Sequence, residues 1–98
     1  MKLTNAEIDQ QLASLNNGWT LDGDAIRKQF TFKDFPEAVN FVNRLVPGAE
    51  AADHHPDILI SNYKKVTLTL TTHSAGGLTE KDFDAAAGAN QVFDRTVR

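Results

Sequence analysis

The chain has 98 residues, 41% hydrophobic and 23% charged, which fits one small globular domain over residues 1–98 rather than two. Its formal net charge of −3, with no basic stripe, argues against a nucleic-acid surface, because phosphate binding needs clustered Lys and Arg. There is no cysteine, so disulfides, thiolate nucleophiles and Cys-based zinc or iron–sulfur sites are excluded.

No apolar run approaches a membrane span, and Met1 to Glu7 lacks the apolar core of a signal peptide. A cytoplasmic protein is therefore expected. Thr4 reads as a helix N-cap, with Glu7 completing a capping box and Leu3 and Ile8 placed as a hydrophobic staple. Ile8, Leu12 and Leu15 continue one helical face, and Asn16-Asn17-Gly18 stops it. Trp19-Thr20-Leu21 reads as a short strand and Asp22-Gly23 as a hairpin turn. In the next strand Ile26, Phe30 and Phe32 face one way and Arg27, Gln29 and Thr31 the other. Lys28 falls on the apolar face as a misfit.

Asp34 suits a cap for a second helix, with Pro36 tolerated in its first turn. Phe35, Val39, Val42, Leu45 and Val46 form its apolar side. Pro47-Gly48 should then kink or end it. Ile58-Leu59-Ile60 reads as a strand and Asn62-Tyr63-Lys64-Lys65 as a turn. Val66, Leu68 and Leu70 then alternate with Thr67, Thr69 and Thr71. After Gly76-Gly77, Thr79 caps a last helix whose inner face runs through Phe83, Ala86, Ala87, Asn90, Phe93 and Val97. The order is α-β-β-α-β-β-α. It predicts an α+β fold, with a four-stranded antiparallel sheet and three helices packed on one face.

The three histidines all fall in the second half: His54 and His55 beside Glu50, Asp53 and Pro56, and His73 beyond the Thr-rich strand. Imidazole titrates near neutral pH, at about 6.5 when unperturbed. A hairpin centred near Tyr63–Lys64 predicts His73 opposite His54 or His55, on the threonine face. Such a cluster suits either a zinc or iron site or metal-free acid–base chemistry. The usual helical metal motif spaces two histidines at i, i+4, and adjacent histidines before a proline lean against metal. Asp82 stands at the capping-box position after Thr79, where a structural role competes with a supporting one.

The run Glu50-x-x-x-His54-His55-Pro56, then Tyr63, Thr72-His73 and Gly77-Leu78-Thr79-x-x-Asp82, resembles the pterin-4a-carbinolamine dehydratase family. Gly18-Trp19, Phe30-x-Phe32 and Phe35 to Phe41 extend the likeness over nearly the whole chain. The resemblance implies the fold order above. It also implies loss of water from 4a-hydroxytetrahydropterin to quinonoid dihydropterin, which recycles the pterin after aromatic amino-acid hydroxylation. It makes His54, His55 and His73 the catalytic histidines and Glu50 and Asp82 supporting carboxylates that fix their tautomers. Pro56, Thr72 and Ser74 would flank the pterin. It implies no cofactor, no metal, no nucleic-acid or membrane partner, and a homodimer or homotetramer. A non-catalytic dimerisation or interaction module is the alternative, pairing through the β-prone Thr67–Thr72 strand as an exposed edge. A metal-dependent hydrolase is a third reading.

Overall fold

A computed structural model describes residues 1–15 and 17–98. Asn16, and with it part of the expected helix stop, lies outside the described residues. Helix α1 (Asn5–Leu15) begins as expected. The Thr4 N–H donates to Glu7 Oε1 at 2.9 Å, and the Glu7 N–H donates to Thr4 Oγ1 at 3.2 Å. Hydrogen bonding from Thr4, its backbone N–H more than its side chain, holds the Glu7 carboxyl below its ordinary value. Leu3 and Ile8 are both buried in the core.

Strands β1 (Thr20–Asp22) and β2 (Ala25–Thr31) pair with Asp22 opposite Ala25. The loop is therefore Gly23-Asp24, with Gly23 at φ +60°. Trp19 lies just before β1, buried. Strand β4 (Lys65–Leu70) pairs with β2 on one side and with β3 (Asp57–Ser61) on the other, giving the order β1-β2-β4-β3. The Thr-rich strand is thus central, not an edge, and this corrects the expected pairing edge. The free edges belong to β1 and β3. On β3, Ile58, Leu59 and Ile60 are exposed at 41%, 59% and 36%.

Alternation sorts the faces as predicted. Ile26 faces Leu70 and Phe30 faces Val66, and all four are buried under the helices. The opposite face carries Arg27, Gln29, Thr67 and Thr69. Helices α2 (Phe35–Ala52) and α3 (Glu80–Thr96) pack on each other and over β4. Between them, Phe30, Phe41 and Phe93 form an aromatic cluster, with Phe30 to Phe41 at 4.9 Å and Phe30 to Phe93 at 5.1 Å between ring centroids.

The Lys28 misfit is resolved by this cluster. Its Nζ lies 4.6 Å from the Phe30 ring centroid and donates to Asn90 Oδ1 at 3.3 Å. The same Asn90 oxygen accepts from Trp19 Nε1 at 3.0 Å. Burial pushes the Lys28 pKa down from 10.5, opposed in part by the Asp94 charge. An amine whose folded pKa is lowered binds fewer protons in the native chain than in the unfolded one. Stability should therefore rise with pH from that lowered value up to the ordinary lysine range. Lys28→Met should flatten this alkaline rise in melting temperature. Parallel pH profiles for the two proteins would remove Lys28 as its source.

Helix α2 corrects part of a second expectation, that Pro47-Gly48 would end it. Asp34 Oδ1 caps it by accepting the Glu37 N–H at 3.0 Å. The helix then runs through Pro47-Gly48 without ending and stops at Ala52. Proline at 47 deprives the Asn43 carbonyl of its helical donor, but both residues are exposed, so water can replace it. Upstream burial of Ala38 and Phe41 anchors the helix. The end itself is well closed. Asp53 is left-handed at φ 49°, and the His54 N–H reaches back to the Ala49 carbonyl at 3.1 Å.

Candidate active site

The last turn of α2, the chain after it, and the segment joining β4 to α3 meet at one end of the fold. Asp82 is the hub. It sits in the first turn of α3 with no solvent exposure. Its Oδ2 accepts the Thr79 N–H at 2.9 Å, completing the capping box, and the Thr72 hydroxyl at 2.8 Å. Its Oδ1 meets His54 Nε2 at 2.6 Å. Thr72 Oγ1 and Thr79 Oγ1 are 2.9 Å apart. Because the Thr72 proton goes to Asp82, the Thr79 hydroxyl donates to Thr72. A carboxylate accepts only, so His54 carries its proton on Nε2 and keeps Nδ1 as its free nitrogen. Asp82 thus holds the helix start with Oδ2 and contacts the His54 ring with Oδ1. Thr79, read from sequence only as a cap, belongs to the same network; its place three residues before Asp82 was the available signal.

His54 is 8% exposed and borders a groove of about 470 Å³ between α2 and α3. Gly48, Ala52, Ala85 and Ala89 leave this groove open, and Lys81 forms part of its rim.

His55 forms a second pair of different character. Its Nε2 lies 2.6 Å from Glu50 Oε2, with side-chain exposures of 57% and 68%. Because α2 continues past Pro47-Gly48, Glu50 stays within reach of His55. The pair borders a smaller apolar cleft of about 150 Å³ together with Pro56, Val46 and Ile58.

His73 departs from the expected geometry. The β3–β4 pairing centres on Tyr63, with Ile58 opposite Leu68, and ends at Asp57 opposite Thr69. The ladder therefore stops before any histidine. The cause is the turn: Asn62 and Tyr63 are both left-handed, at φ 45° and 50°, which shifts the register from the one expected. After Leu70 the strand ends, and His73–Ala75 form a single 3-10 turn closed by the Gly76 N–H on the His73 carbonyl at 3.1 Å. His73 is exposed there, so strand parity no longer applies to it. Among the described residues it makes no hydrogen bond to His54 or His55. It is tied to His54 through its neighbour Thr72 and Asp82. Ser74, in the same turn, is also exposed.

The arrangement supplies two imidazoles next to each other in the chain, each with one nitrogen on a carboxylate and the other free. One is buried and fixed; the other is exposed. Such groups can give or take protons without moving. Among the described residues, no three His, Asp or Glu side chains are grouped to hold a metal ion. No described helix is long and apolar enough to cross a membrane.

Residues 1–92 match the family model described as pterin 4 alpha carbinolamine dehydratase. A protein from Trichormus variabilis named "Putative pterin-4-alpha-carbinolamine dehydratase" is 58% identical over 90 residues, covering 92% of this chain and 95% of that one. A protein of the same name from a Roseiflexus species is 52% identical over 92 residues, covering 94% and 97%. Among solved structures, a transcriptional coactivator/pterin dehydratase from Brucella melitensis superposes with a TM-score of 0.87 at 39% identity, over 94% of this chain and 98% of that one. A pterin dehydratase-like protein identified as a RuBisCO assembly factor in the alpha-carboxysome shares the fold, with a TM-score of 0.66 at 22% identity over 81% and 93% of the two chains.

Proposed function

The chain belongs to the pterin 4 alpha carbinolamine dehydratase family, and we propose that it removes water from 4a-hydroxytetrahydropterin by histidine acid–base catalysis. The observation that carries this reading is the pair of His–carboxylate contacts at the end of α2, each 2.6 Å long. The substrate carries a hydroxyl on the carbon beside a ring N–H. An acid protonates the departing hydroxyl, a base accepts the ring proton, and water and the quinonoid dihydropterin result. No electrons move. Imidazole serves both proton steps near neutral pH.

His55 and His73 are exposed and are assigned the proton transfers. His54, locked by Asp82, binds and orients the pterin, which lies against the Thr72-His73-Ser74 turn and Pro56. Glu50 fixes the tautomer of His55. The test is a stopped-flow measurement of 4a-hydroxytetrahydropterin decay with and without the protein. Marked acceleration is expected; an unchanged decay rate would reject the enzyme reading.

A second reading has its own support. The exposed apolar β3 edge is open to pairing with another copy of the chain. Self-association through β3 to a dimer or tetramer is compatible with catalysis, and it is what remains if the decay assay shows no effect.

A further inference from the structure

A third cleft, of about 480 Å³, borders the Thr72–Ala75 turn. It is lined by Thr72 and Ser74 and walled by the N-terminal segment. Lys81 borders both this cleft and the His54 groove, so the two are neighbours across one side chain. The N-terminal wall is fastened. The Leu3 N–H donates to the Leu78 carbonyl at 2.8 Å, and Leu3 is buried. The Lys2 stem lies across Gly77, where an added Cβ would come within 2.9 Å of Lys2 Cε. The Lys2 stem can lie there because Gly77 carries no side chain.

The two carboxylates of this cleft are each engaged by a donor. Glu7 Oε1 takes the Thr4 N–H, and both Glu80 oxygens take Gln11 Nε2, at 3.0 and 3.1 Å. The donors are open: among the described residues, neither Lys2 nor Lys81 has an ion-pair partner. A ligand that fills the cleft must bring acceptors of its own.

We propose that this cleft receives an anionic substituent of the pterin, a carboxylate or a phosphate ester, held by Lys2 and Lys81. This rests on the reading that the Thr72–Ser74 turn flanks the pterin ring, and it names the substrate class more closely. The test is direct binding by pterin fluorescence, so it does not depend on turnover. The probes are 6-methylpterin, with a neutral substituent, folic acid, with carboxylates, and neopterin monophosphate. At least one anionic probe should bind about tenfold more tightly than 6-methylpterin, and the advantage should fall with added salt. The Lys2→Gln/Lys81→Gln double variant should lose that advantage while binding 6-methylpterin as before. Which anionic probe gains tells carboxylate from phosphate. Equal binding of all three, or an advantage that survives in the double variant, overturns the proposal. A protein that binds these pterins selectively yet leaves carbinolamine decay unchanged would instead reject the dehydratase reading and leave this one standing.

Discussion

Asp82→Asn should lower both the melting temperature and the dehydration rate, because one side chain holds a helix start and a histidine tautomer together. The Asn side-chain oxygen can still accept the Thr79 N–H and the Thr72 hydroxyl now on Oδ2. The amide NH2 then faces His54 Nε2, where the carboxylate had been 2.6 Å away. Two donors cannot share that contact. The ring must move its proton to Nδ1 and lose its free acceptor, or the contact must break. Imperfect pairing of a buried polar group costs about 1–3 kcal/mol. For a domain near this size, each kcal/mol shifts the melting temperature by roughly 4–8 °C. A misplaced proton on an orienting imidazole should slow turnover on the order of 100-fold. Asp82→Ala is harsher. It strands the Thr79 N–H, the Thr72 hydroxyl and His54 together, at a cost of about 3–5 kcal/mol, a large share of the stability of a small domain. Nitrogen NMR of the imidazole distinguishes the causes: in the Asn variant the His54 proton should move from Nε2 to Nδ1. A variant that keeps the original tautomer and full activity would show that Asp82 serves the helix alone.

Local signals carried most of the fold. The Thr4–Glu7 and Thr79–Asp82 capping boxes and the Asp34 cap involve neighbours three residues apart, so the sequence states them outright. Alternation in β2 and β4 reads the buried face correctly, because strand periodicity is local too. The failures were of another kind. Strand order depends on which strands meet after collapse, and the threonine alternation does not say that β4 lies between β2 and β3. Register depended on the left-handed pair Asn62 and Tyr63, and tyrosine does not advertise that conformation. Pro47-Gly48 reads as a break by propensity, yet the helix is anchored by packing upstream, with the affected carbonyl exposed to water.

The same division runs through the site. The histidines and the two carboxylates could be named in advance, but which carboxylate meets which histidine could not. His54 reaches Asp82 across 28 residues of sequence, a contact created by α3 packing beside the end of α2. His55, its immediate neighbour, turns instead to Glu50 within five residues. Both histidines follow directly on the left-handed Asp53, which closes α2. The buried polar network around Asp82 links the β4–α3 connection to the end of α2, so the element that completes the fold also fixes the ring of His54.

His55→Ala should show the opposite balance from Asp82→Asn: a large loss of rate with almost no loss of stability. The His55 side chain is 57% exposed and its Glu50 partner 68%, so truncation opens no cavity and strands no buried group. The melting temperature should move by no more than the equivalent of about 0.5 kcal/mol, since an exposed pair of this kind contributes roughly 0–1 kcal/mol. The rate should fall by about 10²–10⁴-fold if His55 transfers a proton to or from the pterin. Glu50→Gln is a milder lesion. Glutamine still offers an oxygen to the ring N–H but removes the negative charge facing a protonated ring, so a loss near tenfold is expected. The double variant decides whether the two act as one unit. If Glu50 works only by holding His55, adding Glu50→Gln to His55→Ala should cause no further loss, whereas independent roles would multiply. A His55→Ala protein with near-normal turnover would reassign proton transfer to His73, and the exposed pair at the end of α2 would then be a surface contact only.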